Sequence, residues 1–249
     1  MWKCRYSKME GKTLPRYEFS PLGDSGVMVK LGEVIDQQTH EKVILFCEYL
    51  QEHPFPGMIE SVPGFTTVTV YYDPITLFDP LDDILPYDRA VAILEQMSQQ
   101  ISSTHSKEYR LVEIPVCYGG SFGPDLEVVA KQNGLSIEEV ISIHSTTEYL
   151  VYMIGFAPGF PYLGGMDERL ATPRRSSPRL SIPMGSVGIG GLQTGIYSIE
   201  SPGGWQIIGR TPLRLFRADE SSPSLLCAGD KVRFRPISER EYDNGEKVY

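Results

Sequence analysis

The residues best suited to chemistry lie between residues 144 and 212, in a stretch rich in glycine, proline and aromatic residues. Its loop PRRSSPR carries Arg174, Arg175 and Arg179 and no acidic residue, so its guanidinium groups could hold an anion. His144 opens the stretch and is a side-chain type that can transfer a proton near neutral pH. The stretch therefore predicts a pocket for a small ligand with an anionic or amide group.

Polar side chains on the glycine-flanked strands that follow could complete this pocket. Gln193, Thr194, Gln206 and Arg210 are spaced so that they could converge at the mouth of a barrel and bind a small carboxylate or amide. Each of them taken singly is more typical of a solvated strand position. Trp205 and Tyr162 are compatible with ordinary core packing, which is the more common role and is favoured for at least one of them.

Three other chemistries have weaker support. The segment GSVGIGGLQTG lacks the Lys-Ser/Thr pair of a phosphate loop and no helix is predicted after it. A nucleophilic pair of Cys117 and His144 is conceivable, but Cys117 lies in an apolar strand, where an inert thiol is the commoner role. Ser201 is not the centre of a G-x-S-x-G motif, so serine hydrolase chemistry has no local support.

Composition limits the class of protein. The chain has 249 residues, enough for two domains, and a formal net charge of -9, which argues against nucleic acid or an anionic membrane as a partner. No apolar run approaches the roughly 20 residues that span a bilayer. The four cysteines are far apart, which indicates reduced thiols in a cytoplasm, and with four scattered histidines a tightly bound metal is not expected.

The elements that must position the chemical residues form two predicted domains. Residues 1–15 are expected to be a disordered extension. Residues 16–106 predict an α/β domain of two strands, a helix capped by Asp36 and two further strands. The turn-rich passage DPITLFDPLDDILPYD then leads to a helix from about Arg89 to Ser102.

A β-barrel domain is predicted for residues 107–240, and a C-terminal tail is predicted for residues 241–249. A first strand and a helix stopped at Gly134 precede a second helix, whose capping box of Ser136 and Glu139 leads to His144 on the apolar face of the last turn. His144 could therefore be a packed core histidine or a functional one. Short strands follow in YLVYMIGF, LSIPMG, SVGIGG, GIYSIES, WQIIGRT, LRLFRA and KVRFRP, which is typical of a closed or nearly closed barrel.

Four motifs in order, GFAPGFPYLGGM, PRRSSPR, GSVGIGGLQTGIY and SPGGWQIIGRTP, resemble the allophanate hydrolase subunit 1 family, and the resemblance extends from about Tyr17 to the end. It implies an α+β N-terminal domain followed by a cyclophilin-like β-barrel domain. It also implies a cytoplasmic 5-oxoprolinase complex with separate A and C subunits, which opens 5-oxo-L-proline to L-glutamate and hydrolyses ATP to ADP and phosphate. An alternative function implied by the resemblance is inhibition of sporulation histidine kinase A autophosphorylation.

The resemblance also implies roles for individual residues. Catalytic roles fall on His144, for proton transfer or carbonyl orientation, and on Arg174 and Arg210. ATP, with Mg²⁺ shared with the partner subunit, would be the cofactor, and the chain alone is expected to be inactive. The residues implied to bind substrate are Phe160, Pro161, Arg175, Arg179, Gly191, Gln193, Thr194, Gly204, Trp205 and Gln206.

Overall fold

The computed structural model describes residues 17–99 and 109–245, which fall into two compact units. Within the described residues, the first unit comprises 17–62 and 66–99, and the second comprises 63–65 and 109–245. The extension predicted for residues 1–15 and the boundary predicted near residue 106 lie outside the described residues. None of the helices in the described ranges is long and apolar enough to cross a membrane.

The first unit is a four-stranded sheet packed against two long helices. Its strands have the order β1-β2-β4-β3, and β2 pairs antiparallel with both β1 and β4. Buried side chains of the sheet, such as Val29 and Val70, share one core with Phe46 and Leu94 of the helices. The elements are β1 (Glu18–Pro21), β2 (Gly26–Lys30), α1 (Gln37–Glu52), β3 (Met58–Pro63), β4 (Thr67–Tyr72), α2 (Pro74–Leu77) and α3 (Pro86–Ser98).

Local sequence signals determine where these helices begin. The predicted cap of α1 is confirmed, because the carboxylate of Asp36 accepts a hydrogen bond from the backbone N–H of Thr39 at 2.7 Å. Helix α3 starts at Pro86, three residues before the predicted Arg89. Proline suits the first helical position because its φ is already helical and its missing N–H would have no partner there.

The second unit is a closed seven-stranded barrel, which confirms the predicted fold class of an α+β domain followed by a β-barrel. The strands follow each other around the barrel in the order β10-β7-β6-β13-β5-β12-β9, and β13 is inserted between β6 and β5, parallel to β5. Strands β8 and β11 form a separate pair. The elements are β5 (Leu111–Tyr118), α4 (Leu126–Asn133), α5 (Ile137–Thr146), β6 (Glu148–Ile154), β7 (Pro161–Gly164), a 3-10 helix (Glu168–Leu170), β8 (Arg179–Ile182), β9 (Ser186–Gly190), β10 (Gln193–Ile196), β11 (Ser201–Gly203), β12 (Gln206–Arg210), β13 (Lys231–Pro236) and α6 (Glu239–Gly245).

The helix signals of the second unit are also confirmed. Ser136 and Glu139 form the predicted reciprocal capping box at the start of α5. Gly134 ends α4 in the left-handed conformation, with a φ of 65° that a residue with a Cβ rarely adopts. These two signals set the direction in which α5 carries His144 toward the barrel. Helix α6 includes the first residues of the predicted C-terminal tail.

The predicted strand LRLFRA is wrong. Residues 213–218 form no strand, and their β pairing is limited to an isolated bridge between Phe216 and Ser224. The apolar residues of this short run have another role, since Leu215 is inserted into the barrel core. Loop hydrogen bonds replace a strand ladder here, such as the one from the backbone N–H of Arg217 to the carbonyl of Pro223.

One hydrophobic cluster receives buried side chains from all seven barrel strands and therefore fills the barrel interior. On β9 and β12 it includes Ile189 and Ile208. A second cluster, with Phe160, Trp205 and Ile207, lies on the opposite, outward face of the same wall. The wall formed by β9, β10 and β12 thus separates an interior from an outer surface, and predicted site residues lie on both sides.

Candidate functional site

On the inner side of this wall, His144 is part of a closed chain of hydrogen bonds. The hydroxyl of Thr194 donates to the carbonyl of Gly188 at 3.1 Å, so its oxygen accepts from Nε2 of His144, 3.0 Å away. With Nε2 protonated, Nδ1 of His144 accepts from the hydroxyl of Tyr118 at 2.7 Å. The imidazole also stacks on the Phe234 ring, with centroids 4.4 Å apart. Every ring nitrogen therefore has a partner, and the tautomer is fixed.

The environment keeps His144 neutral. The residue is fully buried, and burial lowers the pKa of its imidazole to about 3. Burial likewise raises the pKa of the Tyr118 hydroxyl well above its ordinary value. Since its ring nitrogens bind Tyr118 and Thr194, His144 does not form the alternative nucleophilic pair with Cys117. The geometry favours the packed interpretation of His144 and Thr194, and their functional roles stay predictions.

On the outer side of the wall, glycines make room for an aromatic cluster. A Cβ on Gly190 would lie 2.7 Å from Nε1 of Trp205, and one on Gly188 would lie 3.2 Å from its Cβ. A Cβ on Gly195 would lie 3.2 Å from both Phe160 and the Trp205 ring. The glycines predicted as close backbone approaches thus let the indole rest directly on strands β9 and β10. Trp205 and Phe160 are almost completely buried.

The arginine loop is fixed to the barrel by Asp125, which sequence analysis did not select. The buried carboxylate of Asp125 accepts hydrogen bonds from Arg175 at 3.1 Å and from both terminal nitrogens of Arg179 at 2.9 and 2.8 Å. It also accepts from the backbone N–H of Ile207 at 2.7 Å. The backbone N–H of Arg175 bonds to the carbonyl of Gly204. We call this arrangement the Asp125 clamp.

The clamp divides the three predicted anion-binding arginines into two kinds. Arg175 and Arg179 share the negative charge of Asp125, so their charge is partly offset. Arg174 has no carboxylate partner within salt-bridge distance in the described part of the chain, and its exposed guanidinium carbon lies 5.9 Å from the Trp205 ring centroid. Arg174 is therefore the guanidinium best placed to meet an anion.

An open cleft of about 380 Å³ lies beside this arginine. Gln206 reaches into its wall, where its amide nitrogen donates to the carbonyl of Pro173 at 3.0 Å. Its buried amide oxygen has no hydrogen-bond partner among residues 17–99 and 109–245. The cleft thus offers a cation and hydroxyl groups, and the buried amide oxygen lies in its wall, which suits a ligand with an anionic group and, if the amide moves to expose that oxygen, an N–H or O–H donor. The lining residues are Val128, Gln132, Thr172, Pro173, Arg174, Arg175, Ser176, Ser177 and Gln206.

Several predicted site residues lie around the cleft without lining it. Gly191 forms a two-bond backbone bridge with Thr172, a residue of the cleft wall. Gln193 pairs with Gly190 and therefore shares the outer face of the sheet with Trp205. The buried Pro161 begins β7, next to Phe160 in the aromatic cluster.

Arg210 is not brought to the cleft. It ends β12, four residues after Gln206, which corresponds to about 13 Å along a strand. Its guanidinium carbon lies 5.9 Å from the centroid of the Phe122 ring instead. A catalytic role for Arg210 would have to be exercised at a different place from Arg174.

No local sequence signal identifies Asp125, because it precedes its partners Arg175 and Arg179 by 50 and 54 residues. Arginines that are partly buried in a loop need a nearby carboxylate, and Asp125 immediately precedes helix α4 in the same domain. Asp125 occupies the N-cap position of α4, yet its side chain makes no capping hydrogen bond. Within residues 17–99 and 109–245, no cluster of three or more His, Cys, Asp or Glu side chains is arranged to hold a metal ion.

Comparison with known proteins places these features in a family. The chain matches the family model described as carboxyltransferase domain, subdomain C and D, over residues 17–226. It is 54% identical over 229 residues to the 5-oxoprolinase B subunit of Bacillus subtilis (strain 168), covering 91% of this chain and 95% of the relative. It is 43% identical over 218 residues to the 5-oxoprolinase B subunit of Escherichia coli O157:H7, covering 88% and 95%.

A solved structure supports the same relationship. The crystal structure of TTHA0988 matches 86% of this chain with a TM-score of 0.72 and 33% sequence identity. This chain spans 40% of the length of TTHA0988, whereas it spans nearly the full length of the two bacterial relatives. These matches confirm the resemblance inferred from the four motifs.

Proposed function

The chain belongs to the carboxyltransferase-domain family, subdomains C and D, and from this premise we propose that it is the B subunit of an ATP-dependent 5-oxoprolinase. The observation that carries the proposal is the match to a 5-oxoprolinase B subunit at 54% identity across 95% of that relative. The complex would open 5-oxo-L-proline to L-glutamate with hydrolysis of ATP to ADP and phosphate. It would act in the cytoplasm together with separate A and C subunits, and this chain alone would be inactive.

The cleft beside Arg174 supports this substrate. 5-Oxo-L-proline carries a carboxylate and a lactam N–H. Within the part of the chain that the structure describes, the cleft has a guanidinium without a carboxylate partner and a buried amide oxygen without a donor. Arg174 would bind the carboxylate, and the amide oxygen of Gln206 would accept from the lactam N–H, after a small adjustment of the buried amide. The Asp125 clamp would hold the loop so that Arg174 stays beside Trp205.

The chemistry explains the need for ATP. A lactam carbonyl is a poor electrophile. Transfer of the terminal phosphoryl group of ATP to the lactam oxygen, with release of ADP, would make the carbonyl carbon more electrophilic. Water would then add to that carbon, the ring C–N bond would break, and a second water would hydrolyse the resulting acyl phosphate to the carboxylate and phosphate. The residues of this chain would position the lactam and offset negative charge, for which Arg174 with the hydroxyls of Ser176 and Ser177 is suited. Mg²⁺ would be held with ligands from the partner subunit.

His144 has two proposed roles that an experiment can separate. In one it transfers a proton or orients the lactam carbonyl, which requires the barrel wall to open toward the cleft. In the other it holds Thr194 and Tyr118 in place from the inside, and it acts on the reaction only through the shape of the wall. Its complete burial favours the second role.

The test is reconstitution of the complex. The purified A, B and C subunits should together release ADP in a 5-oxoproline-dependent manner, and omission of this chain should abolish that release. A His144→Ala variant that keeps full activity in the assembled complex would exclude the proton-transfer role. Absence of substrate-dependent ADP release from the three wild-type subunits would overturn the proposed function.

Inhibition of a sporulation histidine kinase stays a second prediction, based on the family resemblance. It is tested by adding the purified chain at increasing concentration to the kinase and measuring autophosphorylation. A kinase rate that does not change at saturating protein would exclude it.

A further inference from the structure

A solvent-exposed apolar face lies on the first unit, where the chain passes from β4 to α3. Ile75, Phe78, Leu81, Ile84 and Leu85 are 81, 59, 92, 49 and 63% exposed. Five large apolar side chains within eleven residues are more than the scattered apolar residues of an ordinary surface, and such patches mark interaction sites. We call these residues the 75–85 face.

The loop that carries this face is held by specific hydrogen bonds. The carboxylate of Asp79 accepts from the backbone N–H of Leu81 at 2.9 Å, and that of Asp82 accepts from the backbone N–H of Ile84 at 3.0 Å. Asp82 is also paired with Arg89 of α3. The apolar side chains are thus presented outward by an ordered backbone, which reduces the conformational entropy that a partner would have to remove on binding.

A cleft lies beside the exposed side chains. Its volume is about 560 Å³, which is ample for one large apolar side chain of another molecule. Phe78 and Ile84 of the face form part of its wall, so a partner covering the face would also fill the cleft. The lining residues are Thr76, Leu77, Phe78, Asp79, Ile84, Asp88, Arg89, Ala92 and Ile93.

The charge around the face selects the kind of partner. Residues 73–89 contain five aspartates and one arginine, a net charge of -4, and that arginine is already paired with Asp82. A second copy of the chain would bring the same negative charge against it, and an anionic membrane would also be repelled. A basic protein surface would instead gain from the field of these carboxylates.

We infer that the 75–85 face docks a protein partner that presents a large apolar side chain flanked by lysine or arginine. The apolar group would enter the cleft, and the basic residues would face Asp79, Asp83 and Asp88. Identifying that partner as the A or the C subunit of the complex rests on the proposed function. The first unit would then bind a partner subunit, and the arginine cleft of the second unit would bind the substrate.

The experiment measures binding of the full chain to the purified A and C subunits by biolayer interferometry. The double variant Phe78→Ser/Leu81→Ser should raise the Kd for one of the two at least about tenfold. The matched control Val34→Ser/Ile35→Ser changes side chains that are 62 and 54% exposed in the same unit, and it should leave that Kd within twofold. Circular dichroism should show equal folding of both double variants.

Charge-reversal variants test the role of the aspartates around the 75–85 face. Asp83→Lys should weaken the same binding and make it less sensitive to salt, whereas Glu60→Lys, an equal charge change on β3, should not. If the wild-type complex assembles and releases ADP with 5-oxoproline while the apolar double variant binds as tightly as wild type, the inference is wrong and the proposed function stands.

Two other results would also contradict the inference. If wild-type protein binds neither of these partners and gives no ADP release, the proposed function fails together with this inference. If analytical ultracentrifugation shows a dimer of the chain alone that Phe78→Ser/Leu81→Ser dissociates, the occupant is a second copy and the inferred basic partner is wrong.

Discussion

The inner chain of Tyr118, His144 and Thr194 and the outer cleft beside Arg174 lie on opposite sides of one barrel wall, and they differ in how their polar groups are satisfied. In the inner chain every donor meets an acceptor, and burial keeps the imidazole neutral. In the cleft, Arg174 lacks a carboxylate partner among the described residues, and the amide oxygen of Gln206 lacks a donor.

This contrast indicates which of the predicted residues can act on a ligand. A buried network whose hydrogen bonds are all satisfied fixes one packing of the wall, and opening it costs those hydrogen bonds and the burial of the side chains. An unsatisfied group beside an open cleft needs a ligand or water to complete it. The two regions should therefore respond differently to mutation, one in stability and the other in turnover.

The largest effect is expected for His144→Ala. The change leaves a cavity against the Phe234 ring and removes the partners of Tyr118 and Thr194, so the barrel should lose about 3–5 kcal/mol of unfolding free energy. Urea unfolding followed by Trp205 fluorescence, in a Trp2→Phe background, measures it. A loss below about 1 kcal/mol would show that the inner chain is not a structural unit.

Asp125→Ala should have the next largest effect. It leaves the guanidinium groups of Arg175 and Arg179 without their carboxylate and frees the N–H of Ile207, and we expect a loss of about 2–3 kcal/mol because the arginines are partly exposed. The same unfolding assay measures it, with Glu127→Ala on the exposed first turn of α4 as the control. Equal stabilities of the two variants would contradict the clamp.

Arg174→Ala should separate turnover from stability. Because its guanidinium faces the cleft and holds no carboxylate, we expect unfolding free energy to change by less than about 0.5 kcal/mol. Substrate-dependent ADP release in the reconstituted complex should fall about 10- to 100-fold. Arg169→Ala, an exposed arginine paired with Asp167, is the matched control. Similar losses of activity in both variants would remove Arg174 from the site.

The smallest effect concerns pH. Because the folded pKa of His144 is about 3 and its unfolded value is near 6.5, the unfolded chain binds more protons below pH 6.5, and stability falls as pH decreases. This single group should remove about 2 kcal/mol between pH 7 and pH 5. Comparing the slope of unfolding free energy for wild type and His144→Phe isolates it. Parallel slopes would show that His144 does not stay neutral in the folded barrel.

The fold class and the helix ends could be predicted from the sequence because the signals that determine them are local. Caps at Asp36 and Ser136 and the glycine end of α4 each act within a few residues, and all three are found in the structure. The predicted strand GIYSIES is a strand only at Gly195, Ile196 and Ser201. The prediction of a strand in LRLFRA was wrong because a short apolar run also arises where a loop residue such as Leu215 enters a core. Local patterns do not distinguish these two cases.

The site was less predictable because it depends on contacts between distant residues. Arg175 and Arg179 are recognisable as cations in the sequence, but their pairing with a carboxylate some fifty residues earlier is a property of the fold. The sequence correctly placed His144 on the apolar face of its helix. Whether that face lies on the inner side of the barrel wall or on the side of the cleft depends on the whole barrel. The residue types predicted which chemistry was possible. The fold determined which polar side chains, among the described residues, were left without a partner beside the cleft.

The position of β13 has a consequence for synthesis of the protein. Strands β5 and β6 are complete by Ile154, but the strand that joins them begins at Lys231. At about 5–20 residues per second, the ribosome needs roughly 4–16 s to make the intervening segment. During that time two apolar strands of the nascent chain have unpaired edges. A chaperone that shields such edges would act on this chain before the barrel can close.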